Sequence, residues 1–166
     1  MTRMVWSVAL IAAASSGCWV ADATAPDLDF PAIRTDSAAY TLRRSDTGLQ
    51  GAIGFTFTNR TGRDLFAGGC ISPDPPHLER LVGDEWVVAY APIVLLCWTP
   101  PRRIRDGESY RSALHISVPL AGTSGAPPWQ SGLVPGTYRL VWDALSVPAP
   151  LPDELRTSNS FTLSLE

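Results

Sequence analysis

The chain has no lysine: all 13 of its basic residues are arginine, set against 16 acids in 166 residues. A phosphate-cradling G-x-x-x-x-G-K-[ST] loop is therefore excluded. The acidic balance predicts no broad basic surface, and no nucleic-acid partner is expected. Histidine is scarce, with only His77 and His115. A zinc site draws on three or four Cys, His or carboxylate ligands, so no metal is expected, and no cofactor. No G-x-S-x-G elbow occurs and nothing sets a serine at a strained turn, so no catalytic residue is assigned. No stretch sustains a helical period over a helical length, apart from a single turn at Pro152 to Arg156. The longest uncharged apolar run near the start, Met4 to Ala14, is shorter than the roughly 20 residues of a membrane span.

What is there begins with that run. Arg3, the apolar stretch and then Ser15-Ser16-Gly17-Cys18 follow the order of a secretory signal. A cysteine directly after small residues resembles a bacterial lipobox, although Ser15 stands where leucine is usual. The resemblance implies a signal of 1–17, lipid on Cys18, a membrane partner through that lipid, and an extracytoplasmic location. Cleavage after Ala23, at the A-x-A pattern Ala21-Asp22-Ala23, would instead release a soluble protein. Thr24 to Asp36, with its prolines and acids, reads as a tether, giving a flexible segment of 18–37 ahead of the domain.

Three cysteines leave an odd thiol in an exported chain. If Cys18 carries lipid, Cys70 and Cys97 remain as a pair that an oxidising compartment would join. The bridge would close a loop worth about 3.5 kcal/mol by loop-closure entropy. The alternative is two buried thiols acting as small hydrophobes.

From Ala38 onward, short alternating stretches are separated by turn residues. Ala39–Arg44, Gly51–Thr58, Asp64–Cys70 as a return strand, His77–Val82, Glu85–Tyr90, Ile93–Trp98, Tyr110–Val118, Thr137–Ala144 and Asn159–Glu166 read as strands. Gly83-Asp84 has the residue order of a type II′ hairpin turn. This pattern predicts an all-β antiparallel sandwich of about 7–9 strands.

Four segments recur in a known order: Asn59-Arg60-Thr61-Gly62, Leu78-Glu79-Arg80-Leu81 with Glu85-Trp86-Val87-Val88, Leu133 to Leu140, and Ser158-Asn159-Ser160-Phe161. They resemble the bacterial immunoglobulin-like domains of extracytoplasmic lipoproteins, over Ala38 to Glu166. The resemblance implies an immunoglobulin-like β-sandwich with no catalytic site. It also implies that Tyr138 fixes the chain near the start of a late strand, as a tyrosine corner does.

Remaining features carry modest readings. Asn59-Arg60-Thr61 fits the glycosylation pattern but reads as turn chemistry. Arg102 to Arg105 reads as a solvated loop balanced by Asp106 and Glu108. Asp153-Glu154 suits the start of the single helical turn. Trp129, in the long Pro119–Pro135 loop, is a candidate partner-binding residue or a lid on the core. The expected function is a non-enzymatic, lipid-anchored envelope protein that binds or supports another envelope component. The alternative is a secreted or periplasmic binding domain resembling a protease inhibitor.

Overall fold

The computed structural model describes residues 31–46, 48–70, 73–93, 99–119, 133–146 and 151–166. Cys18, Cys97 and Trp129 lie outside them, as do the signal and most of the tether. The described elements are β1 (Ile33–Thr35), β2 (Ala39–Ser45), β3 (Gly48–Thr58), β4 (Leu65–Ala67), β5 (His77–Val82), β6 (Glu85–Tyr90), β7 (Arg102–Ile104), β8 (Ser109–Val118), β9 (Gly136–Val141), β10 (Leu145–Ser146), α1 (Asp153–Arg156) and β11 (Phe161–Leu165). The chain is mostly β. No helix among the described residues is long and apolar enough to cross a membrane.

β3 organises one group of strands. From Leu49 to Thr58 it pairs antiparallel with β8. Its other edge is shared between β1, opposite Phe55 to Phe57, and the end of β2, opposite Gly48 to Gln50. β2 belongs to two neighbourhoods. Arg43 to Ser45 pair with β3, whereas Ala39 to Leu42 run parallel to β11. From there the order continues β11-β9-β5-β6. β10, β4 and β7 form a separate three-stranded sheet.

Period-two alternation explains the core. Ile53, Phe55 and Phe57 of β3 point inward, with Leu114 and Ile116 of β8 beside them. Leu78, Tyr138, Leu140, Phe161 and Leu163 from β5, β9 and β11 join the same cluster. Trp142, just after β9, sits at its centre. Its indole meets Phe55 and Phe57 edge-on at 5.5 and 5.7 Å and stacks on Tyr110 at 5.5 Å. The indole N–H donates to the Asp74 carbonyl at 2.6 Å, so the large ring is buried without an orphaned donor. Each fully buried apolar side chain of this kind contributes about 1.5–3 kcal/mol.

Several expectations need correction. Ile33 to Thr35, expected within the tether of 18–37, form β1, and Ile33 is fully buried against the core. The strand expected over Asp64–Cys70 is only Leu65–Ala67. It pairs with β7 and β10 instead of returning along β3. Arg102 to Ile104, expected in a loop, make β7, because Ile104 is buried beside Leu65 while the arginines face out. α1 occupies the expected helical turn, with Asp153 bonded to Arg156 three residues on.

Candidate functional site: an apolar hairpin at the sheet edge

The β5–β6 hairpin ends the strand order, so among the described residues no strand pairs with the outer edge of β6. Its turn follows from Gly83, which adopts φ 62° while no described non-glycine residue has positive φ. Positive φ at the first central position alone is what a type II′ turn requires. The register sets Leu81 opposite Trp86, Arg80 opposite Val87 and Glu79 opposite Val88, with an irregularity between Leu78 and Glu79. Cross-strand partners share a face. Leu78 is buried, so Glu79, Leu81, Trp86 and Val88 share the outward face, joined by Arg139 of β9 opposite Glu79.

Arg139 is held in place. Its guanidinium bonds Glu79 at 2.6 and 2.7 Å and lies 4.4 Å above the Trp86 ring. A carboxylate and an aromatic face thus fix one cation among apolar neighbours. Leu81 and Val88 flank it on the same face, exposed by 38 and 56%, while Val82 and Val87, exposed by 46 and 40%, lie on the hairpin's other face. Four aliphatic side chains are thus exposed on one hairpin, beside a backbone edge that no described strand pairs.

The neighbouring polar groups are already committed. His77 Nδ1 is 3.1 Å from Asp143, and its Nε2 is 3.7 Å from Glu79. Asp143 also pairs with Arg156, which in turn bonds Asp153. An Asp–His pair could orient a general base, but covalent chemistry also needs a hydroxyl or thiol in reach. Among the described residues, none is hydrogen-bonded to His77. His115 is exposed on the outward side of β8.

Of Cys18, Cys70, Cys97 and Trp129, only Cys70 lies among the described residues. It follows the β4 strand and borders a hollow lined also by Ala67, Pro73, Arg102 and Tyr110. Its sulfur is engaged and is not a free thiol. Cys18, Cys97 and Trp129 fall outside the described residues.

Asn59 is fully buried, which settles how its sequon behaves in the folded chain. Its Nδ2 donates to the carbonyls of Arg63 at 2.8 Å and Ile104 at 2.9 Å. Its Oδ1 accepts from the amide and hydroxyl of Thr61. The side chain knits the end of β3 to β7, and the turn reading of that motif holds.

The exposed hairpin was not singled out from sequence. Glu85–Tyr90 reads as an ordinary strand, and only its place at the end of the sheet leaves two adjacent valines in solvent. Comparison of the chain with protein-family models, curated proteins and solved structures returns no match.

Proposed function

We propose that this chain is a non-enzymatic, lipid-anchored envelope protein. Its immunoglobulin-like β-sandwich binds another envelope protein through the β5–β6 hairpin. The observation that carries the binding half is the exposure of Leu81 and Val88 beside the clamped Trp86–Arg139 pair, with Val82 and Val87 exposed on the other face of the same hairpin, at an edge that no described strand pairs.

The immunoglobulin-like reading is supported by topology. β1, β3 and β8 lie on one side of the shared strand β2, and β11, β9, β5 and β6 on the other. β2 crosses between them, and its parallel partner is the final strand, β11. Tyr138 bonds back to the backbone at Val134, as a tyrosine corner does. The engaged sulfur of Cys70 supports a bridge to Cys97, which leaves Cys18 as the lipidated residue.

The test is crosslinking in native membranes with wild type, Val88→Glu and Trp86→Ala, followed by identification of the captured protein. Trp129→Ala extends the test to the long loop. Loss of one specific partner with thermal stability within about 0.5 kcal/mol of wild type supports the reading. An unchanged partner with Val88→Glu would remove the hairpin from the interface.

A further inference from the structure

The arginines are not spread evenly, and the register of the β3 strands collects them. The inward positions of β3 are Ile53, Phe55 and Phe57, so its outward positions are Gln50, Ala52, Gly54, Thr56 and Thr58. Arg34 of β1 stands opposite Thr56 on one side and Arg111 of β8 opposite Thr56 on the other. Arg43 of β2 stands opposite Gln50. Arg60, just past the end of β3, lines a shallow hollow together with Pro31, Arg34, Thr56 and Thr58. All four arginines are exposed.

Four arginines elsewhere pair with carboxylates, Arg102 with Glu108, Arg103 with Asp64, Arg139 with Glu79 and Arg156 with Asp143 and Asp153, whereas Arg44, Arg63, Arg80 and Arg105 make no ion pair among the described residues. Among the described residues, no ion pair involves Arg43, Arg60 or Arg111. Asp106 and Glu108 stand beside the Asn59–Gly62 turn that carries Arg60, and two further carboxylates border the face. Asp36 is bonded by the Tyr40 hydroxyl, and Asp46 lies in the turn between β2 and β3. Glu79, Glu85, Asp143, Asp153 and Glu154 belong to the hairpin and the α1 side of the molecule. A chain of net charge −3 thus gathers four exposed arginines on one face. Pro31, the first described residue, opens onto that same face.

We infer that the outward face of β1, β3 and β8 lies against an anionic phospholipid surface. This rests on the reading that Cys18 carries lipid. Between Cys18 and Pro31 the chain is short enough to hold the domain within a few nanometres of its anchor, since an extended chain spans at most about 3.5 Å per residue. The tether lets the domain reach the surface, and once the face lies within a Debye length of it, about 8 Å at physiological salt, the potential of anionic lipid acts on each exposed arginine. It orients the basic face inward and leaves the β5–β6 hairpin accessible.

The experiment uses the membrane-extracted full protein on vesicles of phosphatidylcholine alone or with added phosphatidylglycerol. Phenylglyoxal labelling of each arginine is followed by peptide mass spectrometry. Arg43, Arg60 and Arg111 are expected to label about fivefold more slowly on the anionic vesicles. The difference should collapse at about 1 M salt, where the Debye length is about 3 Å. Arg139 on the opposite side serves as the internal control and should not change. Equal rates on both vesicles would overturn the inference, as they would if Asp22, Asp27 and Asp29 already screen the face. Protection found only in native membranes would overturn it in favour of a protein partner. The anchor reading fails separately: without lipid on Cys18 the protein would not float with pure phosphatidylcholine.

Discussion

The Tyr138 hydroxyl donates to the Val134 carbonyl at 2.6 Å and accepts from the Val134 amide at 3.2 Å. One buried side chain thereby satisfies both polar groups of a residue just before β9. The ring is fully buried and stacks near Phe161 at 6.4 Å. Burial raises the phenol above its ordinary pKa, which keeps the donating proton in place. Tyr138→Phe preserves the ring and removes both bonds. The expected loss is about 1–2 kcal/mol, read as a lower urea midpoint at unchanged slope. An unchanged midpoint would mean that other contacts fix the entry to β9.

Asn59 makes a second prediction, because every polar atom of its buried amide is used. Asn59→Ala would strand the Ile104 carbonyl and the Thr61 amide, while the Thr61 hydroxyl can still donate to the Arg63 carbonyl at 3.0 Å. The expected cost is about 3 kcal/mol. In a glycosylating host, folded protein should carry no glycan at Asn59, since the acceptor nitrogen has no access to solvent. Intact mass checks this directly, and a sugar on folded protein would contradict the burial.

Much of the fold is legible in the sequence, and the illegible parts share a cause. β5, β6, β8 and β11 follow from alternation long enough to define two faces, and Gly83 from the needs of its turn. β1 and β7 are only three residues each, too short for a period to emerge. Ile33 sits among prolines and acids, and Ile104 among arginines. In both, one buried residue makes the strand, and tertiary partners supply what local pattern lacks. The basic face is illegible for a different reason. Arg34, Arg43, Arg60 and Arg111 are far apart in sequence, and only the pairing of β1, β2 and β8 with β3 makes them neighbours. The exposure of Val87 and Val88 likewise depends on β6 being last in the sheet order.

Alkaline pH should weaken the fold partly through Tyr40. Its pKa is pushed up to about 12, first by burial and then by its hydrogen bond to Asp36. The folded state therefore holds the phenol proton more tightly than the unfolded chain, whose tyrosine titrates near 10. The stabilisation is fully present below about pH 10 and is lost as pH rises toward 12. Tyr90 and Tyr138 are raised in the same direction by burial, so the informative quantity is a difference. Urea midpoints of wild type and Tyr40→Phe, taken from pH 8 to 11.5, should converge as pH rises. Parallel curves would show that Tyr40 ionises alike in both states.

Two glycines of β3 separate backbone from side-chain crowding. A Cβ on Gly48 would lie 1.9 Å from the Val118 carbonyl oxygen, and its φ of 150° is unfavourable for other residues. That oxygen belongs to β8 and cannot swing aside, so Gly48→Ala should cost about 3 kcal/mol. A Cβ on Gly54 would lie 2.0 Å from Asp36 Oδ2. Here the obstacle is an exposed side chain that can rotate, giving up its bond from Tyr40. Gly54→Ala should therefore cost only about 1 kcal/mol, and its Tyr40 titration should move back toward the ordinary value. Thermal denaturation of both variants with spectroscopic titration of the second checks the pair. A Gly54→Ala loss equal to that of Gly48→Ala would mean that Asp36 is as immovable as strand backbone. The Tyr40–Asp36 contact would then be a rigid part of the crossing between the two strand groups, because it ties the start of β2 to the Gly54 carbonyl at 3.1 Å.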